Sequence, residues 1–260
     1  MTGAALLRHR TGRIGAVLTI AILLFALVGP LLAADPNAIA VQDKFLPPSW
    51  LHPLGTDNLG RDLFARAAVG TRFALLMALG VVVLSLLIGA PLGVAAGLVG
   101  GWIDRATIIL FDIVSAYPPV ILALGIVALY GSGNLLLLLV VALVFVPQVG
   151  RMARAQALSL RQQPFIEAER ILGIPTGRLV WRHLLPNVLG PLIVLASMNI
   201  PVVITVEAGL SFLGLGVKPP QASLGTLIRD GYIYLDQSWW PTVGASAILA
   251  LTTLGATLLG

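Results

Sequence analysis

Residues 73–103 read FALLMALGVVVLSLLIGAPLGVAAGLVGGWI, 31 consecutive positions without a charged side chain. The hydrocarbon core of a bilayer is about 30 Å thick, and a helix needs about 20 apolar residues to cross it. Backbone N–H and C=O groups cannot stay unpaired in lipid, so such a stretch must be helical. It carries Gly89, Gly93, Gly97 and Gly101, one glycine every four residues. That spacing puts all four on one helix face, where missing side chains let another backbone approach closely. The stretch predicts a membrane crossing over residues 76–100, packed through its glycine face on a neighbouring helix.

Working outward, the same reading recurs along the chain. Between Arg13 and Asp35 lie 21 uncharged residues, a first crossing over 14–34. A third runs over 106–130 with Asp112 in its first two turns, and Gly131-Ser132-Gly133-Asn134 supplies turn chemistry before a short fourth over 135–150. A fifth covers 187–206 and a sixth 240–260, with an inner loop over 151–186 between the fourth and fifth. The expected fold is therefore an all-α membrane protein, one transmembrane domain of six helices. The first stretch exceeds the 7–15 apolar residues of a signal peptide, so it is expected to be an uncleaved anchor.

Composition agrees. Hydrophobic types make up 58% of the 260 residues and charged types 10%, with a mean hydropathy of +0.97. A soluble domain carries about 25% charged residues, so an ordinary soluble enzyme, a disordered chain and a nucleic-acid binder are all excluded. The chain has no cysteine, which removes disulfides, thiolate metal sites and cysteine nucleophiles.

Basic residues are retained on the cytoplasmic side. With the N-terminus inside, the inner segments hold ten (Arg8, Arg10, Arg13, Arg105, Arg151, Arg154, Arg161, Arg170, Arg178 and Arg182) and the outer segments six (Lys44, Arg61, Arg66, Arg72, Lys218 and Arg229). Both termini are expected to be cytoplasmic, and the basic excess is a topology signal that needs no acidic partner. All five tryptophans fall at crossing ends or in connecting segments, where indole sits at the headgroup level.

Ionisable groups inside a membrane are the usual functional candidates. Only Asp112, near the inner edge, and Glu207, at the outer edge of the fifth crossing, qualify. Each reads as an interfacial or capping residue or, alternatively, as a functional one. Pro201 predicts a kink in the fifth crossing or a hinge. No ladder of charges crosses the midplane, which counts against an ion-driven transporter, a proton pump or a voltage sensor. His9, His52 and His183 are far apart, with no metal-ligand spacing. No nucleophile elbow, His-Glu-x-x-His or phosphate loop is present, so the chain cannot bind and hydrolyse ATP by itself, and paired catalytic groups for an intramembrane enzyme are missing.

The inner loop 151–186 holds six of the sixteen basic residues and reads as helix–turn–helix. Pro164 suits a first helical position, Phe165, Ala168 and Leu172 follow at helical spacing, and Glu167 pairs with Arg170. Gly173 and Pro175 end the helix, and a second short helix begins near Gly177. Such a hairpin either lies on the membrane or docks on another protein.

Its spacing, Glu167-Ala168-x, three residues, Gly173, nine residues and His183-Leu184-Leu185-Pro186, resembles the EAA loop of ABC-importer permeases. Glu169 replaces the second alanine of the family pattern and His183 its isoleucine. Two further segments are similar to the second permease subunit of dipeptide, oligopeptide and nickel importers. One is His52-Pro53-Leu54-Gly55-Thr56-Asp57-Asn58-Leu59-Gly60-Arg61-Asp62; the other is Ser211-Phe212-Leu213-Gly214-Leu215-Gly216-Val217-Lys218-Pro219-Pro220, just after Glu207.

The resemblance implies a type I ABC-importer permease fold whose inner hairpin is a coupling helix in a groove of a cytoplasmic ATPase. Glu167, Ala168, Arg170, Leu172, Gly173, Leu185 and Pro186 would carry that contact. Gly55, Thr56, Asp57, Gly60, Arg61, Asp62 and Glu207 would form an outer gate or a surface for an extracytoplasmic substrate-binding protein. It further implies pairing with a second permease, two ATPase subunits that hold ATP and Mg, no cofactor on this chain, and a bacterial or archaeal cytoplasmic membrane. Peptides are the expected cargo and nickel or another small solute the alternative. Relatives usually carry a short polar tail after the sixth crossing, which is expected to be shortened here. By local chemistry alone, Thr56 or Asp57 caps a helix beginning near Asn58.

Overall fold

The side chain of Asp62 accepts a hydrogen bond from the Ala65 amide at 2.7 Å and so caps the longest helix of the molecule. This helix, Leu63–Val99, spans 37 residues, or about 56 Å at 1.5 Å per residue, well beyond the thickness of a bilayer core. The structure is a computed structural model and describes residues 10–33, 35–164 and 185–259. Within those limits the helices, in order, are α1 (Arg10–Leu32), α2 (Leu63–Val99), α3 (Gly101–Ser115), α4 (Pro119–Tyr130), α5 (Asn134–Arg161), α6 (Leu185–Phe212), α7 (Leu224–Ile233) and α8 (Trp240–Leu259). Among the described residues the only β pairing is an isolated antiparallel bridge between Thr56 and Asp62. Five helices are long and apolar enough to cross a membrane, and α3 with α4 make a sixth candidate.

The bundle is organised around α2 and α5, its most extensive helix pair. Met77, Val81, Leu137, Val141 and Phe145 fill the space between them, with Ile204 and Leu210 of α6 closing the same core. Further along, Val94, Val149 and Ala153 continue the seam and meet Val188 and Leu192 of α6. Here the glycines act. A Cβ on Gly89 would stand 2.8 Å from the Val146 carbonyl oxygen, and one on Gly97 2.8 Å from that of Arg154. One on Gly93 would overlap the Gly150 carbonyl. The helices approach backbone to backbone, and only glycine fits. Gly150 in turn receives the buried ring of Phe111 from α3.

The structure corrects several expected boundaries. The third crossing is not one helix over 106–130: α3 and α4 are bent by 84° at a break. Pro118 and Pro119 stand at that break and cannot supply the N–H groups a continuous helix needs. Gly101 lies outside the glycine seam, since it starts α3 at a φ of +61° with nothing within 4 Å of a Cβ. The second crossing begins at Leu63 rather than residue 76, the fourth continues to Arg161, and the fifth continues through Pro201 to Phe212. The expected residues Glu167, Ala168, Arg170, Leu172 and Gly173, and the second short helix near Gly177, lie outside the described residues.

Candidate functional site

At one end of the bundle, residues 35–62 fold into a tight knot around Asp57. Its Oδ1 accepts the amides of Leu59 and Arg61, both at 2.9 Å, and its Oδ2 accepts Arg61 Nε at 2.7 Å. Arg66 Nε lies 3.6 Å from the same oxygen. The Thr56 hydroxyl donates to the Asp43 carbonyl and accepts the Leu46 amide at 2.8 Å. His52 Nδ1 and Asp62 Oδ2 are 2.7 Å apart, so Asp62 joins the knot to the start of α2 while capping it. Gly55 and Gly60 have φ of +76° and +73°, and a Cβ on either would run into a backbone carbonyl, of Leu46 and Ala40 respectively. Both positions thus require glycine for conformation and for space.

The expected helix start near Asn58 is therefore wrong. Asp57 is occupied in a turn, Gly60 breaks helical geometry, and the cap passes to Asp62. Glu207 also differs from expectation. The fifth crossing does not end there, because α6 runs on to a C-terminal motif in which the Gly214 and Leu215 amides close on the Ser211 and Leu210 carbonyls. Glu207 is thereby buried inside the helix, only 1% exposed, and accepts the Ser211 hydroxyl at 2.6 Å. Its second carboxyl oxygen has no hydrogen-bond partner. Nearby, α7 starts with a capping box between Ser223 and Thr226, and Gly225 lets it press against the Ala208 carbonyl of α6.

The knot and the α6–α7 connection enclose a cavity of about 290 Å³. Arg61, Arg66, Lys218, Arg229, Asp230 and Thr226 bring its polar groups. Burial pushes the Asp230 carboxyl above the usual carboxylate range, against the opposing pull of Arg66 and Arg61. Phe45 of the knot touches Tyr234, ring centroids 5.6 Å apart, so the two segments are joined on this side too. Among these residues, Gly55, Thr56, Asp57, Gly60, Arg61 and Asp62 were singled out from sequence. The cavity's Arg66 and Arg229 entered the sequence reading only as topology charges, Lys218 also as part of the second outer motif, and Asp230 not at all. A clustering of charged residues around the outer motifs in two distant segments is the one signal that sequence offered.

At the far end, α3 is tied to α5. Arg154 grips Asp104 with Nε and Nη2, the latter at 2.7 Å, and Arg151 Nη1 meets Asp112 at 3.1 Å while Nη2 reaches Ser115. Asp112 is thus an exposed ion-pair partner and no helix cap. Leu185 and Pro186 form the first turn of α6, half-buried and exposed respectively. Among the described residues, no group of three or more His, Asp or Glu side chains could hold a metal ion.

The sequence model for "Binding-protein-dependent transport system inner membrane component" matches residues 89–260. The chain belongs to this family. The permease also matches, over residues 3–48, the N-terminal TM domain of oligopeptide transport permease C. A Brucella abortus relative named as a peptide transport system permease is 36% identical over 264 residues, covering 100% of this chain and 88% of its own length. DdpC of Escherichia coli K12, named for D,D-dipeptide transport, is 37% identical over 246 residues (94% of this chain, 83% of DdpC). The dipeptide transport permease DppC of Alkalihalophilus pseudofirmus is 34% identical over 254 residues (97% and 84%). Among solved structures, the inward-facing MetNI methionine ABC transporter aligns with a TM-score of 0.58 at 20% identity, over 73% of this chain and 91% of that one, which shows a shared fold. The protein is an ABC transporter permease with several apolar membrane helices.

Proposed function

We propose that this permease imports dipeptides or short oligopeptides across a bacterial or archaeal cytoplasmic membrane. It would share the path with a second permease subunit and be driven by two cytoplasmic ATPases. The observation that carries the cargo reading is similarity over almost the whole chain to relatives named for peptide and dipeptide transport. ATP and Mg belong to the ATPases in this reading, an extracytoplasmic binding protein delivers the peptide, and no bond is made or broken on this chain.

The orientation proposed is both termini cytoplasmic. Two features of the fold support it. Asn134, at the start of α5, bonds Gln221 at 2.9 Å beside the knot, whereas Arg154 lies 20 residues along the same helix, about 30 Å away. The 35–62 loop, with four acidic against two basic residues, and the segment 213–239 thus meet at one end, and Arg105, Arg151 and Arg154 gather at the other, the arrangement expected of outer and inner faces. The coupling loop in this reading is 151–186, with Glu167 a polar anchor and Gly173 a turn residue. Closure of the ATPases would rock the bundle through this segment as a rigid body.

The test is uptake of labelled dipeptide and of nickel by cells lacking the gene, restored by the wild-type chain or by Glu167→Ala and Gly173→Leu variants. Restoration of peptide uptake by the wild type only, with all variants inserted in the membrane, supports the proposal. Peptide uptake unchanged by gene loss overturns the cargo, and full activity of both variants overturns the coupling role.

A further inference from the structure

The cavity between the knot and the α6–α7 connection has an imbalance of charge that its own walls do not settle. Four cations line it, Arg61, Arg66, Lys218 and Arg229, against one carboxylate, Asp230. Asp57 stands behind the wall and serves both Arg61, at 2.7 Å, and Arg66, at 3.6 Å. Even with Asp57 counted, two positive charges are left over. Lys218 and Arg229 form no ion pair within 4 Å among the described residues.

Arg66 is 3% exposed, and although its Nη1 donates to the Pro36 carbonyl at 3.2 Å, its Nε has no hydrogen-bond acceptor. That donor is turned to Asp57, 3.6 Å away, so what Arg66 brings to the cavity is the charge of its guanidinium. Arg229 is exposed but lies against the backbone of the α6 terminus. Its guanidinium lies over Gly214, where a Cβ would come within 2.5 Å of Nη1, and Gly214 is held at a φ of +84° by the end of α6. The buried Arg66 and the exposed Arg229 and Lys218, brought from α2, α7 and the α6–α7 connection, thus line one cavity with guanidinium and ammonium donors suited to an oxyanion.

We infer that this cavity binds the carboxylate group of a small organic anion, held by Arg66, Arg229 and Lys218. The volume, about 290 Å³, is at the lower edge of small-ligand pockets and admits a short carboxylate-bearing group rather than a folded segment. Asp230 in the wall sets the selectivity: it repels a doubly charged phosphate more than a singly charged carboxylate. The proposal rests on the charge and shape of the cavity and not on the importer reading. That reading offers two sources of the same chemistry, the C-terminal carboxylate of a peptide and an acidic side chain of the delivering protein.

The test uses the full chain in lipid nanodiscs with N-acetyl-Ala-Ala as probe, its C-terminal amide as control, and inorganic phosphate as competitor. Expected is binding of the acid, about tenfold weaker binding of the amide, and a loss of about tenfold in Lys218→Gln and Arg229→Gln. Both side chains are exposed, and an unchanged melting temperature verifies that the variants fold. Equal affinity for acid and amide, unaltered affinity in both variants, or phosphate outcompeting the acid would overturn the inference. A second arm measures binding of the peptide-free delivery protein to the assembled importer. Weakening by Arg229→Gln there assigns the site to a side chain of that protein, and weakening of the acetyl dipeptide alone assigns it to cargo.

Discussion

Gly93→Ala is a single methyl placed where α2 and α5 leave none. The new Cβ would stand 2.9 Å from Ala153 Cβ, against 3.4–4 Å for ordinary contact, and would overlap the Gly150 carbonyl oxygen more severely. The obstacle is chiefly backbone, so no rotamer change relieves it and the helices must part. Overpacking of a tight site costs about 1–3 kcal/mol, and the backbone obstacle puts this case near the upper figure. For a chain of this size each kcal/mol moves the melting temperature by about 2–4 °C, so a fall of about 6–12 °C is expected. The assay is thermal unfolding of the purified chain in detergent, followed by tryptophan fluorescence. Gly190→Ala is the control, because nothing lies within 4 Å of its Cβ and helix propensity favours alanine by about 1 kcal/mol. Ala153→Gly should rescue Gly93→Ala only partly, since the Gly150 carbonyl remains. A Gly93→Ala protein that melts with the wild type, or no lower than Gly190→Ala, would refute the close-packed seam.

Asp57→Asn removes the counter-charge of a buried Arg66 and should destabilise the fold by about 3–5 kcal/mol, read as a lowered unfolding midpoint; adding Arg66→Met should recover much of it. Asp62→Ala deletes the cap of α2 and should cost about 1 kcal/mol from the cap alone, together with loss of the His52 contact, visible as faster amide exchange at residues 63–66. Asp104→Arg should loosen α3 from α5, and Asp104→Arg with Arg154→Asp should restore most of about 1 kcal/mol of coupling, measured by a double-mutant cycle.

The crossings were legible because lipid imposes one rule, a long uncharged helix, and the sequence obeys it in plain runs. Their ends were harder to place. Arg66 lies inside α2 although a charge count puts it in the loop, since Asp57 and the Pro36 carbonyl meet it there. Pro118 and Pro119 lie in an uncharged run and so pass a hydropathy test, yet they split the third crossing. Gly89, Gly93 and Gly97 were readable as a contact face from spacing alone, whereas Gly101 keeps the spacing and loses the helix. The knot's Thr56, Asp57 and Asp62 could be named from motif, but their hydrogen bonds run to residues as distant as Asp43 and could not. The cavity was hidden for the same reason: Arg66 and Arg229 are 163 positions apart in the chain and meet only in the fold.

The elbow between α3 and α4 has its own consequence. At 15 and 12 residues, the two helices are about 22 and 18 Å long, and neither alone bridges a hydrocarbon layer of about 30 Å. The bend directly follows Ser115, which Arg151 holds beside its exposed pair with Asp112, so it stands at the end of the bundle where those charges gather. There the last carbonyls of α3 find one local donor, the Ala116 amide on Asp112, and two adjacent prolines bring none. Bare peptide oxygens of that kind do not survive against acyl chains; they persist where solvent seeps in or another polypeptide lies alongside. Two rings that merely lack a hydrogen thus mark, next to the Arg151–Asp112 pair, a spot from which oil is shut out.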